Sequence, residues 1–393
     1  MLNWVETDAR AIHANLWQFR RRLGDAARLG AVVKANAYGH GMLEVAPIAV
    51  AAGADWLCVN AVEEALRLRE AGHGVPILVM GHIPFDALGA VVDYDLRPVV
   101  YDRETLERLE RLADAAGRTV PIHLKVETGT HRQGVMQPEL RAFAERIRAA
   151  RRLRLEGVTT HFANIEDSTD HGYAERQITT FARVVEELRA DGVQPELLHA
   201  ACSAATLLFT RTHLDLARIG ISMYGIWPSK ETYVSCLERG QPTLDLAPAL
   251  AWKTRVAQLK KVPEGNYIGY GCTYRTTRDS RIAVLPVGYH EGYARALSGV
   301  AHVLIGGRRA PVRGRVCMNM CMVDVTDVPG VAQEDEVVLL GRQRDERLPV
   351  EQLAEWCGTI PYEIVSRIHP GLPRVVIGEP VGDLTGPRPA AEP

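Results

Sequence analysis

The chain has 393 residues, with 46 basic and 48 acidic side chains and a net charge of −2. This balance provides no basic surface for nucleic acid, and no run of about 20 apolar residues is present to span a membrane. The N-terminus lacks a secretory signal and the seven cysteines form no disulfide framework, so we expect a cytoplasmic protein with reduced thiols.

The N-terminal part alternates short apolar runs with amphipathic segments. Helices are predicted at 8–22, 61–72, 103–117 and 138–152. Eight runs rich in Val, Ile and Leu are typical of strands buried on both faces, at 31–35, 56–60, 76–81, 97–101, 121–127, 155–162, 196–200 and 214–219. Eight such strands predict a (β/α)8 barrel, although a doubly wound sheet has the same local pattern.

After residue 242 the pattern changes to closely spaced strands. These are predicted at 249–259, 282–287, 302–305, 312–325, 336–340 and 374–377, with one helix at 350–357. The sequence therefore predicts an α/β protein, with an N-terminal TIM-like (β/α)8 barrel at 1–241 and a β-rich C-terminal domain at 242–383. Residues 384–393 are expected to form a flexible tail.

Polar side chains stand at or just after the ends of five predicted barrel strands. They are Lys34, Arg132, His161, Ser203 and Arg218. One polar residue at a strand end usually contacts solvent. Because the C-terminal ends of barrel strands carry the active site, five together predict a catalytic rim.

Lysine is scarce in this chain, which has six lysines among its 46 basic residues. Lys34 and Lys125 nevertheless lie in apolar strands. Burial lowers the pKa of an amine, and a neutral amine can form a Schiff base with an aldehyde such as pyridoxal phosphate. The helix that starts at Ser203 and the Gly220–Ile221 turn offer backbone N–H groups for the phosphate.

Nine motifs together resemble one known family. They are AVVKANAYGHG, KVETGTHRQGV, THFA, HAACSAAT, RIGISMYG, GYGCTY, LPVGYHEGY, GRVCMNMCMVDVT and IPYE, and they run in family order from residue 31 to 363. The chain resembles the alanine racemases, which are pyridoxal-phosphate enzymes of fold type III. The resemblance implies a small amino acid as substrate and a homodimer with shared active sites.

The resemblance also implies a role for each matching residue. Lys34 would hold the cofactor and act as one base, and Tyr270 of the partner subunit would act as the base on the opposite face. Cofactor contacts would come from Tyr38, His161, Ser203, Arg218, Gly220, Ile221 and Tyr362. Substrate contacts would come from Arg132, Met318 and Tyr289. In the family, D-alanine supplies cell-wall peptidoglycan.

Lys125 matches a family position where lysine can be carbamylated and can then orient Arg132. An unmodified lysine paired with Glu127 is the alternative, and both remain open. The chain departs from the family pattern at residues 127–132 and at Cys202, Glu291 and Asn319. These departures leave a broad-specificity or serine-type racemase as the alternative function.

Two further pyridoxal-phosphate families share part of this plan. A decarboxylase of basic amino acids has the same two domains, but its glycine-rich phosphate loop is missing. A cofactor-homeostasis protein consists of the barrel alone. We expect no metal, because Cys317 and Cys321, four apart in a predicted strand, would lie about 13 Å from each other.

Overall fold

The computed structural model describes residues 1–378, so the predicted tail at 384–393 lies outside the described residues. The chain forms two compact units. One, here called the barrel unit, consists of Ile12–Ala35 and Ala46–Ala247. The other, the β-rich unit, consists of Met1–Ala11, Asn36–Val45 and residues 248–378.

The strands in chain order are β1 (Asn3–Asp8), β2 (Arg28–Val32), β3 (Trp56–Val59), β4 (Ile77–Val79), β5 (Arg97–Val100), β6 (Val120–Lys125), β7 (Leu153–Thr159), β8 (Leu197–His199), β9 (Leu216–Ile219), β10 (Leu250–Arg255), β11 (Gln258–Val262), β12 (Tyr267–Ile268), β13 (Tyr274–Arg275), β14 (Ser280–Leu285), β15 (His302–Ile305), β16 (Arg308–Pro311), β17 (Cys321–Asp324), β18 (Glu336–Gln343), β19 (Glu346–Leu348) and β20 (Arg374–Ile377).

The helices are α1 (Ala9–Leu23), α2 (Lys34–Tyr38), α3 (Met42–Ala51), α4 (Val62–Glu70), α5 (Leu88–Asp93), α6 (Arg103–Ala115), α7 (Leu140–Ala149), α8 (Gly172–Ala190), α9 (Ser203–Leu208), α10 (Lys230–Glu238), α11 (Val350–Cys357) and α12 (Pro361–Ser366). Single 3-10 turns lie at Phe85–Ala87, Gln137–Glu139, Thr210–Thr212, Ile221–Tyr224, Tyr270–Cys272 and Arg295–Leu297. Across residues 1–378, no helix has the length and apolar character needed to cross a membrane.

The barrel unit is an eight-stranded parallel sheet in the order β8-β7-β6-β5-β4-β3-β2-β9. Two backbone bonds, from Asp215 N to Leu198 O and from Arg218 N to Ala201 O (3.0 Å each), join the edge strands β8 and β9. The predicted (β/α)8 barrel is therefore confirmed. Its strands are almost wholly buried, which explains why they appear in the sequence as continuous apolar runs.

The surrounding helices form for local reasons that α6 illustrates. Asp102 caps its first turn, because Thr105 N donates to Asp102 Oδ1 at 2.8 Å. Leu106 and Leu109 then recur on one buried face, as an amphipathic helix requires.

The β-rich unit contains a seven-stranded sheet, a three-stranded sheet (β11-β14-β17) and the two-stranded pair β12-β13. The larger sheet has the order β16-β15-β18-β10-β1-β20, and β19 pairs with β18. Strand β1, which the sequence analysis did not predict, lies between β10 (antiparallel) and β20 (parallel).

Two strand predictions in this unit were wrong in extent. The run 249–259 is two strands, β10 and β11, which belong to different sheets. Most of the run 312–325 is a loop that ends in β17. Gly314 has a positive φ (71°) and a Cβ there would overlap with Ile268 O, while Cys317 N donates to Met320 O (2.8 Å) in a turn. Cys317 therefore does not lie in a strand with Cys321.

Candidate active site

Lys34 begins a turn of unusual handedness two residues after β2 ends. Four consecutive non-glycine residues, Ala35 to Tyr38, have φ between 51° and 53°. Each such residue costs about 1–2 kcal/mol relative to a right-handed conformation. Strain of this size persists only where the surrounding structure imposes it, and it concentrates at functional sites.

The ring of His40 helps to impose this conformation. Its Nδ1 donates to the carbonyls of Ala37 (3.1 Å) and Tyr38 (3.0 Å), and Thr7 Oγ1 donates to the carbonyl of His40 (2.7 Å). Complete burial lowers the pKa of His40 to about 4. The imidazole is therefore neutral at physiological pH and keeps its place in the turn.

Gly39 closes the turn with a φ of 80°, and a Cβ at this position would overlap with Val365 O. Arg374 Nη2 donates to the Gly39 carbonyl at 3.0 Å. The ring of Tyr38, a predicted cofactor contact, lies 6.1 Å from the ring of Tyr362, its predicted companion. These two predicted residues are therefore brought together within the β-rich unit.

Basic side chains cluster at one end of the barrel. Burial first, and then the positive charges of Arg218, Arg132, Lys125 and Lys34, hold the pKa of His161 well below its usual value. Burial and the nearby Arg132 also lower the pKa of Lys34, against the opposing effect of Glu64. The barrel thus brings four of the five strand-end candidates close together, and Lys125 with them.

Among residues 1–378, no acidic side chain lies within ion-pair distance of Lys125. Its Nζ donates to Gln133 Oε1 (3.3 Å), while Glu127 accepts from the backbone of Gly129 and Thr130 (2.6 Å each) and so caps its own loop. Burial, together with nearby cations, lowers the pKa of Lys125 to about 8. The pairing with Glu127 considered from the sequence is not formed.

Arg218 is buried with neutral acceptors around its guanidinium. It donates to His199 Nδ1 (2.5 Å), Thr159 Oγ1 (3.2 Å), Thr160 O (3.0 Å) and Ala200 O (3.2 Å). Burial lowers the pKa of this guanidinium. An arginine usually keeps its charge even when buried, so Arg218 places a cation at this point in the barrel.

The fifth strand-end candidate, Ser203, lies where α9 and a 3-10 turn both begin. It is the first residue of α9, and Ile221 opens a 3-10 turn. Gly220 N donates to Ser203 Oγ at 3.0 Å. The buried Ser222 Oγ next to Ile221 has no partner among the described residues. The first N–H groups of a helix have no acceptor inside it, so this corner is rich in donors.

The remaining candidates, Tyr270, Met318 and Tyr289, are exposed on loops of the β-rich unit. Tyr270 is 74% exposed and follows Gly269, whose φ is 72°. The loop that contains Tyr289 and the loop that contains Met318 are joined by two backbone hydrogen bonds, from Tyr289 N to Cys317 O (3.1 Å) and from His290 N to Met318 O (2.9 Å). In the isolated chain these side chains face solvent.

Sequence reasoning missed several residues that support the site. They are His40, His123, Gln133, Glu156 and His199. A signal was present for two of them, because His123 and His199 lie in apolar strands where a polar side chain needs a partner. Their partners are on other strands, and a single sequence does not reveal them.

Known proteins match this chain over nearly its whole length. Residues 7–228 match the model of the alanine racemase N-terminal domain, and residues 249–376 match that of the C-terminal domain. The alanine racemase of Halothermothrix orenii is 41% identical over 371 residues, which cover 94% of this chain and 96% of that protein. That of Symbiobacterium thermophilum is 42% identical, covering 96% and 97%.

Solved structures of alanine racemases are also similar to this chain over nearly its whole length. The alanine racemase of Bacillus anthracis with bound L-Ala-P has a TM-score of 0.89 and 38% identity, covering 96% of this chain and 95% of that one. The Bartonella henselae enzyme, with covalently bound pyridoxal phosphate, has a TM-score of 0.83 and 27% identity, covering 96% and 100%. The chain therefore belongs to the alanine racemase family and is an isomerase that racemises alanine.

Proposed function

We propose that this enzyme uses pyridoxal phosphate and two bases, Lys34 and Tyr270 of a partner subunit, to interconvert L- and D-alanine. The observation that carries the proposal is the basic cluster around Lys34, whose pKa is lowered by burial. A neutral amine of this kind can both attack an aldehyde and move a proton. As in the family, the D-alanine would supply peptidoglycan.

The residues present suit this cofactor. When bound, pyridoxal phosphate acts as an electron sink that acidifies the α C–H bond of an amino acid. Ser203, the Gly220–Ile221 turn and the unpartnered Ser222 Oγ form a donor-rich corner that suits a phosphate. Arg218 would donate to the ring nitrogen. The roles of Tyr38, His161 and Tyr362 remain predictions from the family resemblance.

Racemisation needs a proton removed from one face of the α-carbon and another delivered to the opposite face. Lys34 would serve one face from inside the barrel and Tyr270 the other. A phenol has an ordinary pKa of about 10, so Tyr270 needs cations nearby to act as a base. Arg132 and Met318 would bind the substrate carboxylate, and Tyr289 would line the entrance.

The first experiment is racemisation in deuterated water, with pyridoxal phosphate and a panel of L-amino acids, followed by chiral chromatography. We expect D-alanine carrying α-deuterium as the dominant product. Wider turnover would favour a broad-specificity or serine-type racemase. Release of carbon dioxide would identify a decarboxylase, and no turnover would contradict the proposal.

A tyrosine variant tests the second base. In Tyr270→Phe we expect α-proton exchange to survive from one enantiomer of alanine and to be lost from the other, because one face keeps Lys34. Tyr267→Phe is the matched control, since Tyr267 is also exposed, at 57%, in the same stretch. Equal loss of exchange from both enantiomers would exclude Tyr270 as a face-specific base.

Mixing two inactive variants tests the homodimer. If Tyr270 acts on the partner's Lys34, a hybrid of Lys34→Ala and Tyr270→Phe has one intact site. An equal mixture, after subunit exchange, should regain about a quarter of the normal activity. No recovery despite hybrid formation would mean that each chain uses its own tyrosine.

We further propose that Lys125 is carbamylated. Its pKa of about 8 leaves neutral amine available for carbon dioxide, and a carbamate would place an anion among Lys34, Arg132 and Arg218. In 13C-bicarbonate, NMR should show a carbamate signal that disappears in Lys125→Met. Lys253→Met is the control, because Lys253 pairs with Glu6 (2.9 Å). A signal that persists in Lys125→Met would contradict the assignment.

A cytoplasmic location remains part of the proposal. All seven cysteines are free thiols in the structure, which suits a reducing compartment. Fractionation of the source cells, with activity measured in each fraction, would test it.

A further inference from the structure

A continuous chain of hydrogen bonds leads from Arg218 through the barrel interior. Arg218 Nη1 lies 2.5 Å from His199 Nδ1, and His199 Nε2 lies 2.8 Å from His123 Nδ1. His123 Nε2 then lies 3.0 Å from Glu156 Oε2. Both imidazoles are completely buried, so the chain has no contact with solvent between its ends.

The chemistry of the end groups fixes the direction of every bond. A guanidinium only donates, so His199 Nδ1 must accept and the proton of this ring is on Nε2. His123 must then accept at Nδ1 and donate from Nε2 to the carboxylate of Glu156. Two neutral imidazoles in one defined tautomer therefore connect a cation to an anion.

Glu156 is held at the far end of the chain by two arginines. Its Oε1 accepts from Arg154 Nη2 (3.1 Å), and its Oε2 lies 3.5 Å from Arg97 Nε. Hydrogen bonds from His123 and these cations lower the pKa of Glu156 despite the opposing effect of burial. The carboxylate is thus ionised when the chain is formed.

The backbone makes room for the ring of His123. A Cβ at Gly157 would overlap with His123 Nδ1, the atom that faces His199. The pairing of β6 with β7 is also irregular between Ile122 and His123. Both features shape the strands around this imidazole, as glycines and bulges do where another group approaches closely.

We propose that His199, His123 and Glu156 form a relay of positioning residues, which orients Arg218 and compensates its charge during racemisation. The proposal rests on the proposed function in one respect, namely that Arg218 contacts the cofactor. All direct acceptors of Arg218 are neutral, so the relay supplies the anionic end of its network. Successive hydrogen bonds of this kind polarise and strengthen one another.

The first test uses NMR of the protein without cofactor or substrate, with 15N-labelled histidine. We expect two exchange-protected imidazole protons, on Nε2 of His123 and of His199. In Glu156→Gln the His123 proton should move upfield, and the His199 proton should follow by a smaller amount. Glu196→Gln is the matched control, because Glu196 pairs with the same Arg154 but lies outside the relay.

The second test uses turnover. Glu156→Gln should lower kcat for alanine about tenfold and leave KM within about twofold, because the relay acts on Arg218 rather than on the amino acid. Glu196→Gln should keep the kcat of the unmodified enzyme. Gly157→Ala should reproduce the loss of Glu156→Gln without removing any polar group.

A double variant separates a relay from independent structural effects. Once Gly157→Ala has displaced His123, adding Glu156→Gln should lower kcat no further. The relay would be overturned if the His199 resonances did not move in Glu156→Gln. It would also be overturned if the two substitutions lowered kcat independently, so that their effects multiplied in the double variant. The NMR result stands without turnover, so failure of the relay is distinguishable from failure of the proposed cofactor chemistry.

Discussion

Three lysines are largely buried, and the direction in which the pKa of each is shifted depends on whether it has an acidic partner. Lys34 and Lys125 have lowered pKa values, with burial as the first cause. Lys253 is similarly enclosed, but the hydrogen bonds that it donates to Glu6 and Glu336 outweigh burial and raise its pKa. The same residue type therefore loses its proton more readily at two places and keeps it in an ion pair at the third.

This difference predicts the order in which the lysines react. With a limiting amount of pyridoxal phosphate and borohydride trapping, Lys34 should be modified well before Lys253, as peptide mass spectrometry will show. Modification of Lys34 should decrease as the pH falls below its lowered pKa, because only the neutral amine attacks. Equal modification of both lysines at neutral pH would contradict the assignment of Lys34.

A glycine substitution tests the left-handed turn. Gly39→Ala places a Cβ on a residue with a positive φ (80°), where it would overlap with Val365 O, and should cost about 3 kcal/mol or more. Gly53→Ala is the control, because Gly53 has a φ of 90° with open space around it, and should cost about 1 kcal/mol. Urea unfolding measures both, and equal costs would mean that the contact with Val365 is unimportant.

The conformation of this turn could not be predicted from the sequence. Lys34 and Tyr38 were recognisable from their motif, but the segment between them, ANA, contains good formers of right-handed helix. The left-handed conformation comes from His40, Gly39 and their contacts, which override local preference. The His199–His123 pair was likewise hidden, since pairing depends on which strands are neighbours.

At the scale of elements, burial explains which strands could be predicted. The eight barrel strands were found to within a few residues because most of their residues are buried and apolar, although β6 and β7 also contain polar side chains. Strand β1 was missed because only two of the six residues in NWVETD are apolar, and β10 and β11 were merged because no turn residue separates them. Tertiary pairing, rather than local pattern, defines these strands.

Strand β1 should nevertheless be essential to its sheet. Val5 is completely buried and pairs with Trp252 on one side and Arg374 on the other. Val5→Ala should lower the free energy of unfolding by about 2 kcal/mol. Leu2→Ala, just before the strand and 57% exposed, should change it by less than about 0.5 kcal/mol, so similar costs in urea titrations would contradict this role.

For the whole molecule, buried neutral histidines make stability depend on pH. The pKa of His40 is lowered from 6.5 to about 4, and those of His123, His161 and His199 are also lowered. The unfolded chain takes up these protons as the pH falls below 6.5, whereas the folded chain does not. Stability is therefore greatest above pH 6.5 and decreases toward pH 4.

His40 alone should account for about 3 kcal/mol of this loss between pH 6.5 and 4. We expect His40→Asn to be less stable than the unmodified enzyme at pH 7 and nearly equal to it at pH 4.5, as urea titrations at both values will show. Parallel curves, with a constant difference between the two proteins, would mean that His40 is not neutral in the folded state.

The position of β1 between β10 and β20 has a consequence for the time course of synthesis. Residue 6 pairs with residues 251 and 375, so β1 waits for partners that the ribosome makes about 245 and about 370 residues later. At typical elongation rates the second wait lasts about 20 to 70 s. Throughout that interval β1 has open edges that other nascent chains can pair with. The yield of active enzyme should therefore depend on how well chaperones shield β1 until β20 is complete.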